Sequence, residues 1–202
     1  MSTAIAYKDS TFTWSDYRSW PDDERWEIVG GEAFDMSSAP LTRHQLIVGE
    51  LTGQMYAHFK GHRCRVWPAP VDVKLSEEDV VQPDLLVVCD PAQIQRTYIE
   101  GAPALVIEVL SEASLFHDRV RKMGLYARSG VREYWLVTPY PHLIEVYELA
   151  GDAYTLRGGY TRDDKLASPS FPALHLDLGS VFDFPLAPGE AVKMVKEGRH
   201  SY

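Results

Sequence analysis

Pro103-Ala-Leu-Val-Ile-Glu-Val-Leu-Ser111 has the composition of a buried β-strand, yet it carries a carboxylate, Glu108, in its middle. Side chains alternate between the two faces of a strand, and here both faces are otherwise apolar. Such a run is typical of an interior strand that is covered on both sides. An isolated charge there costs several kcal/mol unless a cation, a metal ion or hydrogen bonds compensate it. Glu108 is therefore the first candidate site residue.

A second apolar run, Val80-Val-Gln-Pro-Asp-Leu-Leu-Val-Val88, carries another acid, Asp84, directly after a proline. Proline cannot donate a hydrogen bond to a neighbouring strand, so the Pro83-Asp84 step predicts a strand start or a distortion. Irregular positions of this kind can present an acid to a site. Taken alone, Asp84 has a simpler interpretation as a turn or strand-start residue.

Residues 114–129 follow the Glu108 strand and have the periodicity of an amphipathic helix. The apolar stripe consists of Phe116, Val120, Met123 and Ala127, opposite His117, Arg121 and Arg128. At about 100° per residue, Lys122 falls at the edge of the apolar arc, beside Leu115 and Tyr126. Its ammonium can extend to solvent or turn inward towards acids. A surface ion pair with Asp118, four residues earlier, is the simpler alternative.

Two reserve candidates lie in a predicted hairpin. Gly30-Gly31 readily supplies the positive φ angles of a tight turn between strands at 25–29 and 32–36. The acids Glu27 and Glu32 lie on these strands. Because one face of a hairpin is usually wet, both are most simply interpreted as solvent-facing residues.

Residues 42–60 predict a helix whose core-facing stripe is formed by Val48, Leu51, Met55 and Phe59. His44 lies one turn before Val48 and could point at a site. A hydrogen-bonded histidine near a helix end is the simpler interpretation. We therefore expect His44 to support the site residues from behind.

The rest of the chain predicts further β-structure. Residues 132–138 and 143–149 predict strands joined at Pro139-Tyr-Pro-His142, and residues 154–160 and 175–184 suggest short β segments. No internal repeat or domain boundary is visible. We expect a single domain over residues 1–202, with a loosely ordered tail from about residue 190.

Composition narrows the class of protein. The 202 residues are 45% apolar and 24% charged, as in ordinary globular domains, and no run of about 18 apolar residues or signal-like start is present. We expect a cytoplasmic protein with no membrane partner. The net charge of −9 argues against a broad electrostatic grip on nucleic acid, although a local basic patch could provide one. Cys64 and Cys89 stand alone, which favours buried reduced thiols.

The two acids, Asp84 and Glu108, lie on predicted strands, and Lys122 lies on the helix that follows the second strand. A βα arrangement places such elements side by side. Two carboxylates supply the oxygen ligands that Mg²⁺ prefers, with Mn²⁺ as a substitute. A nearby ammonium can orient the attacking water or stabilise charge on a phosphate. The set is chemically sufficient for metal-assisted hydrolysis of a phosphodiester.

These motifs resemble the Uma-two family of restriction-endonuclease-like nucleases, within the PD-(D/E)xK superfamily. The likeness rests on Pro83-Asp84, on Ile107-Glu108-Val109, and on Asp118 to Lys122 in a helix that ends in Leu-Tyr-Ala-Arg-Ser-Gly-Val-Arg-Glu-Tyr-Trp-Leu-Val137. It covers roughly residues 24–149 and is strongest over 80–137.

The resemblance implies a restriction-endonuclease-like fold of the α/β (α+β) type, in which helices flank a mixed central β-sheet with additional β-hairpins. It also implies that Asp84 and Glu108 bind the metal. One position departs from the superfamily pattern, which has a lysine two residues after the second acid, where this chain has Leu110. The family likeness therefore moves the lysine role to Lys122.

The leading hypothesis is a Mg²⁺-dependent endonuclease acting on DNA. A homodimer is expected with it, because two copies related by a two-fold axis cut both strands of a symmetric duplex most simply. The alternative is a non-catalytic nucleic-acid-binding or protein-interaction module on the same fold. A metal-dependent hydrolase of a small phosphoester, which better suits a negative surface, is a third hypothesis.

Overall fold

Two β-sheets and four α-helices make up the part of the chain that the computed structural model describes, namely residues 11–21, 23–36, 41–111 and 117–184. The strands are β1 Trp26–Val29, β2 Glu32–Asp35, β3 Arg65–Pro68, β4 Asp72–Lys74, β5 Val80–Val81, β6 Leu85–Val88, β7 Tyr98–Glu100, β8 Leu105–Val109, β9 Glu133–Thr138, β10 Leu143–Ala150 and β11 Ala153–Tyr160. The α-helices are α1 Trp14–Tyr17, α2 Thr42–Phe59, α3 Met123–Ser129 and α4 Leu178–Val181, beside a 3₁₀ turn Pro91–Gln93 and a π-helical segment His117–Lys122. The tail expected to be loosely ordered lies outside the described residues.

The strand quoted at the outset, β8, lies inside a six-stranded mixed sheet with the order β11-β10-β9-β8-β6-β3. It is parallel to β9 and antiparallel to β6, and all five of its residues are buried. The other pairs in this sheet are antiparallel. The predicted mixed central sheet is therefore present, with the Glu108 strand in its interior.

A second sheet, with the order β2-β1-β5-β4-β7, is present where the sequence suggested only additional hairpins. Its β1–β2 hairpin turns at Gly30 and Gly31, whose φ angles are 59° and 77°. A two-residue turn with both φ angles positive suits the twist of the flanking strands. The strands of this sheet have two to four residues. Strands of this length carry little alternation from which to predict their inner face.

The run from Val80 to Val88 passes from one sheet to the other at its proline. β5 belongs to the second sheet, β6 belongs to the central sheet, and Gln82, Pro83 and Asp84 connect them. Because Pro83 has no N–H to donate, the ladder is interrupted where the chain changes sheets. Asp84 therefore lies where the two sheets meet.

Apolar side chains cover both faces of the central sheet. On one face Leu85 and Ile107 pack in a cluster with α2, whose buried residues are Ile47, Leu51, Met55 and Phe59. The predicted stripe of this helix is thus right except at its start, where Val48 is only partly buried. On the other face, Leu86 and Val106 pack in a cluster with residues of α3. Strand alternation places Asp84 and Glu108 on this second face.

The predicted helix at 114–129 is present in its described part, but it begins as a π-helix. Residues 117–122 form the π-helical segment, which continues into α3, whereas Phe116 lies outside the described residues. Val120, predicted on the apolar stripe, is 54% exposed, while Lys122 is 1% exposed. In the i→i+5 repeat each residue turns by less than the 100° that an α-helical projection assumes. The prediction that Val120 faces the core was therefore wrong.

The segment 175–184 contains the short helix α4 instead of the β-strand that the sequence suggested. Asp177 is the N-cap of α4, and its side chain accepts a hydrogen bond from the Ser180 N–H. Such a cap stabilises the first turn of a helix and ends the extended backbone before it.

Cys64 and Cys89 form a disulfide, so the prediction of two reduced thiols was wrong. Arg65 of β3 pairs with Val88 of β6, and the cysteines flank this pair on directly opposite positions. The bond ties the edge strand β3 to the strand that follows Asp84. Two single cysteines at a separation of 25 residues give no sign of this pairing until the strand register is known.

No helix within the described ranges is long and apolar enough to cross a membrane.

Reducing this disulfide should lower the free energy of unfolding by about 3 kcal/mol, because the bond closes a loop of 25 residues in the unfolded chain. Urea unfolding of the protein with and without a thiol reductant measures the difference. A Cys64→Ala/Cys89→Ala variant is the control, and its midpoint should not respond to reductant. Two free thiols in the native oxidised preparation, with equal midpoints under both conditions, would contradict the assignment.

Candidate active site

Asp84 and Glu108 are brought together by strand pairing. Leu85 of β6 pairs with Ile107 of β8 in an antiparallel ladder, so Asp84 lies opposite Glu108 and their side chains share a face. The Val109 N–H donates a 2.8 Å hydrogen bond to Asp84 Oδ2, and the Asp84 N–H lies 3.4 Å from Glu108 Oε2. The two acids singled out from separate apolar runs are therefore neighbours.

Lys122 turns its ammonium inward. Its Nζ lies 3.0 Å from Glu108 Oε1 and 3.4 Å from Asp118 Oδ1. The contact with Asp118 predicted as a surface pair thus exists, but inside the protein, since the lysine side chain is 1% exposed. The structure brings the predicted lysine to the second acid of the set.

Glu27, which the sequence offered only as a reserve candidate, also binds this ammonium. Its Oε1 lies 2.8 Å from Lys122 Nζ, and its side chain is fully buried. The interpretation of Glu27 as a solvent-facing residue was therefore wrong. The other acid of the hairpin, Glu32, is 57% exposed and pairs with Arg121, as expected of a surface residue. In a strand of four residues, alternation alone could not tell the inward acid from the outward one.

His44, on the first turn of α2, lies beside Asp84. Its Nε2 is 3.0 Å from Asp84 Oδ2. Its Nδ1 is buried without a hydrogen-bond partner in the described part of the chain. His44 thus lies behind the first acid, in the place expected of a supporting residue.

Tyr126 is a contact that sequence reasoning missed. Its hydroxyl donates a 2.8 Å hydrogen bond to Glu108 Oε1, the same oxygen that Lys122 contacts. Lys122 and Tyr126 are four residues apart, and both extend from one helical face to this carboxylate. The helical projection placed Tyr126 beside Lys122, which was the available signal.

Burial and charge determine the protonation of the site. Burial raises the pKa of Glu108 well above its ordinary value, and Asp118, Asp84 and Glu27 add to this effect against the opposing Lys122. Burial also opposes ionisation of Glu27, but the Lys122 ammonium and His117 lower its pKa to about 2. Burial acts to lower the pKa of Lys122, yet Glu108, Glu27 and Asp118 raise it well above its ordinary value. Lys122 is therefore an ammonium with Glu27 as its ionised partner, whereas burial opposes the ionisation of Glu108.

The pair of acids suited to a divalent ion is Asp84 and Glu108. Across the described ranges, no three His, Cys, Asp or Glu side chains are grouped as a closed ligand set for a metal. Mg²⁺ does not require one, because it keeps several waters and binds through one or two carboxylates plus phosphate oxygens. Lys122 and Tyr126 both contact Oε1 of Glu108, and the Asp84 contacts described above use Oδ2. This donor chemistry fits an open magnesium site.

Comparisons with known proteins agree with this architecture. Residues 14–179 match the model of the Uma2 family, described as "putative restriction endonuclease". The uncharacterized protein slr1290 of Synechocystis sp. is 27% identical over 155 residues, which cover 75% of this chain and 81% of that protein. A crystal structure described as a "putative nuclease belonging to DUF820", from Anabaena variabilis, matches with a TM-score of 0.68 at 19% identity, covering 85% of this chain and 97% of the other. The predicted restriction-endonuclease-like fold is thereby confirmed.

Lys122→Met should lower the free energy of unfolding by about 3 to 5 kcal/mol, because the change leaves buried carboxylates without their cation. Chemical denaturation at neutral pH measures the loss. Arg121→Met is the matched control, since it removes the neighbouring cation from a half-exposed pair with Glu32 and should cost about 1 kcal/mol or less. Equal losses in the two variants would contradict the burial of the Lys122 ion pairs.

Proposed function

The chain belongs to the Uma2 family of restriction-endonuclease-like proteins, and from this membership we propose that it is a metal-dependent nuclease that hydrolyses phosphodiester bonds of DNA. The family and the fold support a nuclease-like activity. The observation that carries the proposal is the pair of facing carboxylates, Asp84 directly before β6 and Glu108 on β8, with the Lys122 ammonium 3.0 Å from the second.

In this proposal Asp84 and Glu108 hold Mg²⁺, and Mn²⁺ can substitute for it. A bound Mg²⁺ supplies a Lewis acid for the phosphate and lowers the pKa of a bound water. The Val109 N–H and His44 fix the Asp84 carboxylate through Oδ2. Tyr126 and Lys122 fix Glu108 through Oε1. The second oxygen of Glu108, Oε2, lies 3.4 Å from the Asp84 N–H, so protein groups orient both proposed ligands.

Lys122 acts in this proposal as a permanent cation. Its pKa is raised well above the ordinary value by Glu108, Glu27 and Asp118 against the effect of burial, so it does not act as a base near neutral pH. In this proposal its positive charge stabilises negative charge that grows on a phosphate oxygen. A buried ammonium is effective in this role because little water screens its charge.

DNA is the proposed substrate and the cytoplasm the proposed location. The net charge of −9 means that affinity for a polyanion must come from the site itself and from local basic groups. Binding should therefore weaken steeply with salt, with a slope that reports the number of phosphates contacted.

We expect the protein to cut DNA in the presence of Mg²⁺ or Mn²⁺, and Asp84→Ala and Glu108→Ala to reduce turnover by at least about 10²-fold. Supercoiled, linear and single-stranded DNA are the substrates to compare. Glu32→Ala is the control, because this exposed acid pairs with Arg121 away from the metal ligands and its loss should leave turnover unchanged. In a thermal melt, Mn²⁺ should stabilise the parent and not the Asp84→Ala variant.

Full activity of both alanine variants would reject the assigned ligands. A parent protein that binds DNA but cuts none of the three substrates with either metal would instead favour a non-catalytic binding module.

We also propose that the active form is a homodimer, because a two-fold arrangement of two sites matches the symmetry of duplex DNA. Light scattering coupled to size exclusion should give about twice the monomer mass of 22.8 kDa at micromolar concentration or with duplex DNA. A monomer mass at every accessible concentration, with and without duplex, would contradict this proposal.

A further inference from the structure

Glu27 is a buried acid to which the proposed reaction has so far given no role. It lies on β1 of the second sheet, whereas Glu108 lies on the central sheet, and both reach the same ammonium. Among the three carboxylates around Lys122, Glu27 is at the shortest distance, 2.8 Å from Nζ. The Glu27–Lys122 ion pair therefore connects the second sheet to the helix that faces Glu108.

We propose that Glu27 is a positioning residue for the reaction, which holds Lys122 at Glu108 and fixes the backbone that carries Asp84. The inference rests on the proposed nuclease function. It assigns to Glu27 no contact with substrate or metal.

The two oxygens of Glu27 bind the two ends of the π-helical segment. Lys122, its last residue, contacts Oε1, and His117, its first residue, lies with Nε2 3.2 Å from Oε2. Residues separated by five positions lie one turn apart in a π-helix. Glu27 therefore joins both ends of one π turn. This is the turn that rotates Lys122 from the predicted edge of the helix into the interior.

Glu27 Oε1 also accepts a 2.8 Å hydrogen bond from the Gln82 N–H. Gln82 stands two residues before Asp84, in the connection between the two sheets. One carboxylate oxygen thus contacts both the lysine and the backbone that leads into the first acid. Displacing Glu27 changes the position of Lys122 relative to Asp84 as well as to Glu108.

Charge explains why Lys122 requires an anion other than Glu108. A divalent ion bound by Glu108 takes up much of the charge of that carboxylate, and a buried ammonium left without a partner is costly. Glu27 remains ionised, because Lys122 and His117 hold its pKa at about 2 despite burial. It can retain Lys122 whether or not a metal is bound. Without Glu27 the ammonium keeps only Glu108 and the more distant Asp118, 3.4 Å away, and at Glu108 it competes with the metal.

The decisive experiment compares Glu27→Gln with Glu27→Asp and with the control Glu133→Gln. Glu133 is also fully buried and accepts hydrogen bonds from Trp135, Ser168 and Ser170, but it does not contact the site. Glu27→Gln should lower kcat about 10- to 100-fold with little change in KM, as for a residue that orients a site from behind. Glu27→Asp, which keeps the charge with a shorter reach, should lie between Glu27→Gln and the parent. Glu133→Gln should leave kcat unchanged.

Two further measurements on the same variants do not depend on DNA cleavage. A ¹H–¹⁵N spectrum of the lysine ammonium groups should show a Lys122 signal that is protected from exchange with water. Its absence from the spectrum of Lys122→Arg assigns it. The signal should be lost or shifted in Glu27→Gln and retained in Glu133→Gln. Calorimetric titration with Mn²⁺ alone should show affinity about 10- to 100-fold weaker in Glu27→Gln than in the parent.

An unchanged ammonium signal together with unchanged kcat in Glu27→Gln would overturn the proposal. If Glu27→Gln does not fold, Glu27→Asp decides: a reduced kcat with a shifted signal supports positioning, and parental values of both overturn it. A parent that cuts no DNA defeats the nuclease function and with it the catalytic part of the inference. The ammonium spectrum then still shows whether Glu27 holds Lys122.

Discussion

The ammonium of Lys122, buried among carboxylates, is the interaction on which the rest of the site depends. Glu27 and Glu108 belong to different sheets, and Asp118 belongs to the π-helical segment that carries the lysine itself. These elements have in common the need to neutralise buried charge, because each acid alone would favour its uncharged form or an exposed position. The cation therefore links the two sheets to each other and the helix to both. Stability and the proposed chemistry both depend on Lys122, Glu108 and Glu27, so a substitution among these three changes both.

The second constraint is the passage of the chain between the sheets at Gln82, Pro83 and Asp84. Proline ends one ladder, and Asp84 then enters the central sheet opposite Glu108. The same short connection offers its Gln82 N–H to Glu27. Asp84 is thus held by its connection to Gln82 and by hydrogen bonds with two separate parts of the chain, His44 and the Val109 N–H. The irregular backbone directs Asp84 towards Glu108 at the junction of the two sheets. A continuous strand would have kept Asp84 within a single sheet.

The sequence allowed the central features to be predicted where a physical rule left few choices. A carboxylate inside a doubly apolar strand must find a partner, which identified Glu108, and the proline step marked Asp84. The inward direction of the Lys122 ammonium was one of two interpretations that its place at the edge of the apolar arc allowed. The sequence could not decide between them, because the π turn that buries the lysine depends on tertiary contacts. Glu27 was kept only as a reserve candidate, since its four-residue strand carries no clear alternation. The disulfide was missed because it requires the register of β3 against β6. Local sequence patterns thus identified Asp84 and Glu108, whereas their contacts with Tyr126 and the Val109 N–H became visible only in the three-dimensional structure.

The edge of the central sheet at β3 has a consequence for the behaviour of the protein in concentrated solution. An open strand edge is a template on which another chain can add a strand and begin aggregation. Here the edge strand has four residues, ends in Pro68 and is followed two residues later by Pro70. Its other end is fastened to β6 by the disulfide. A short edge strand that is bounded by proline and tied to its neighbour offers little template, so this side of the sheet is protected from strand addition.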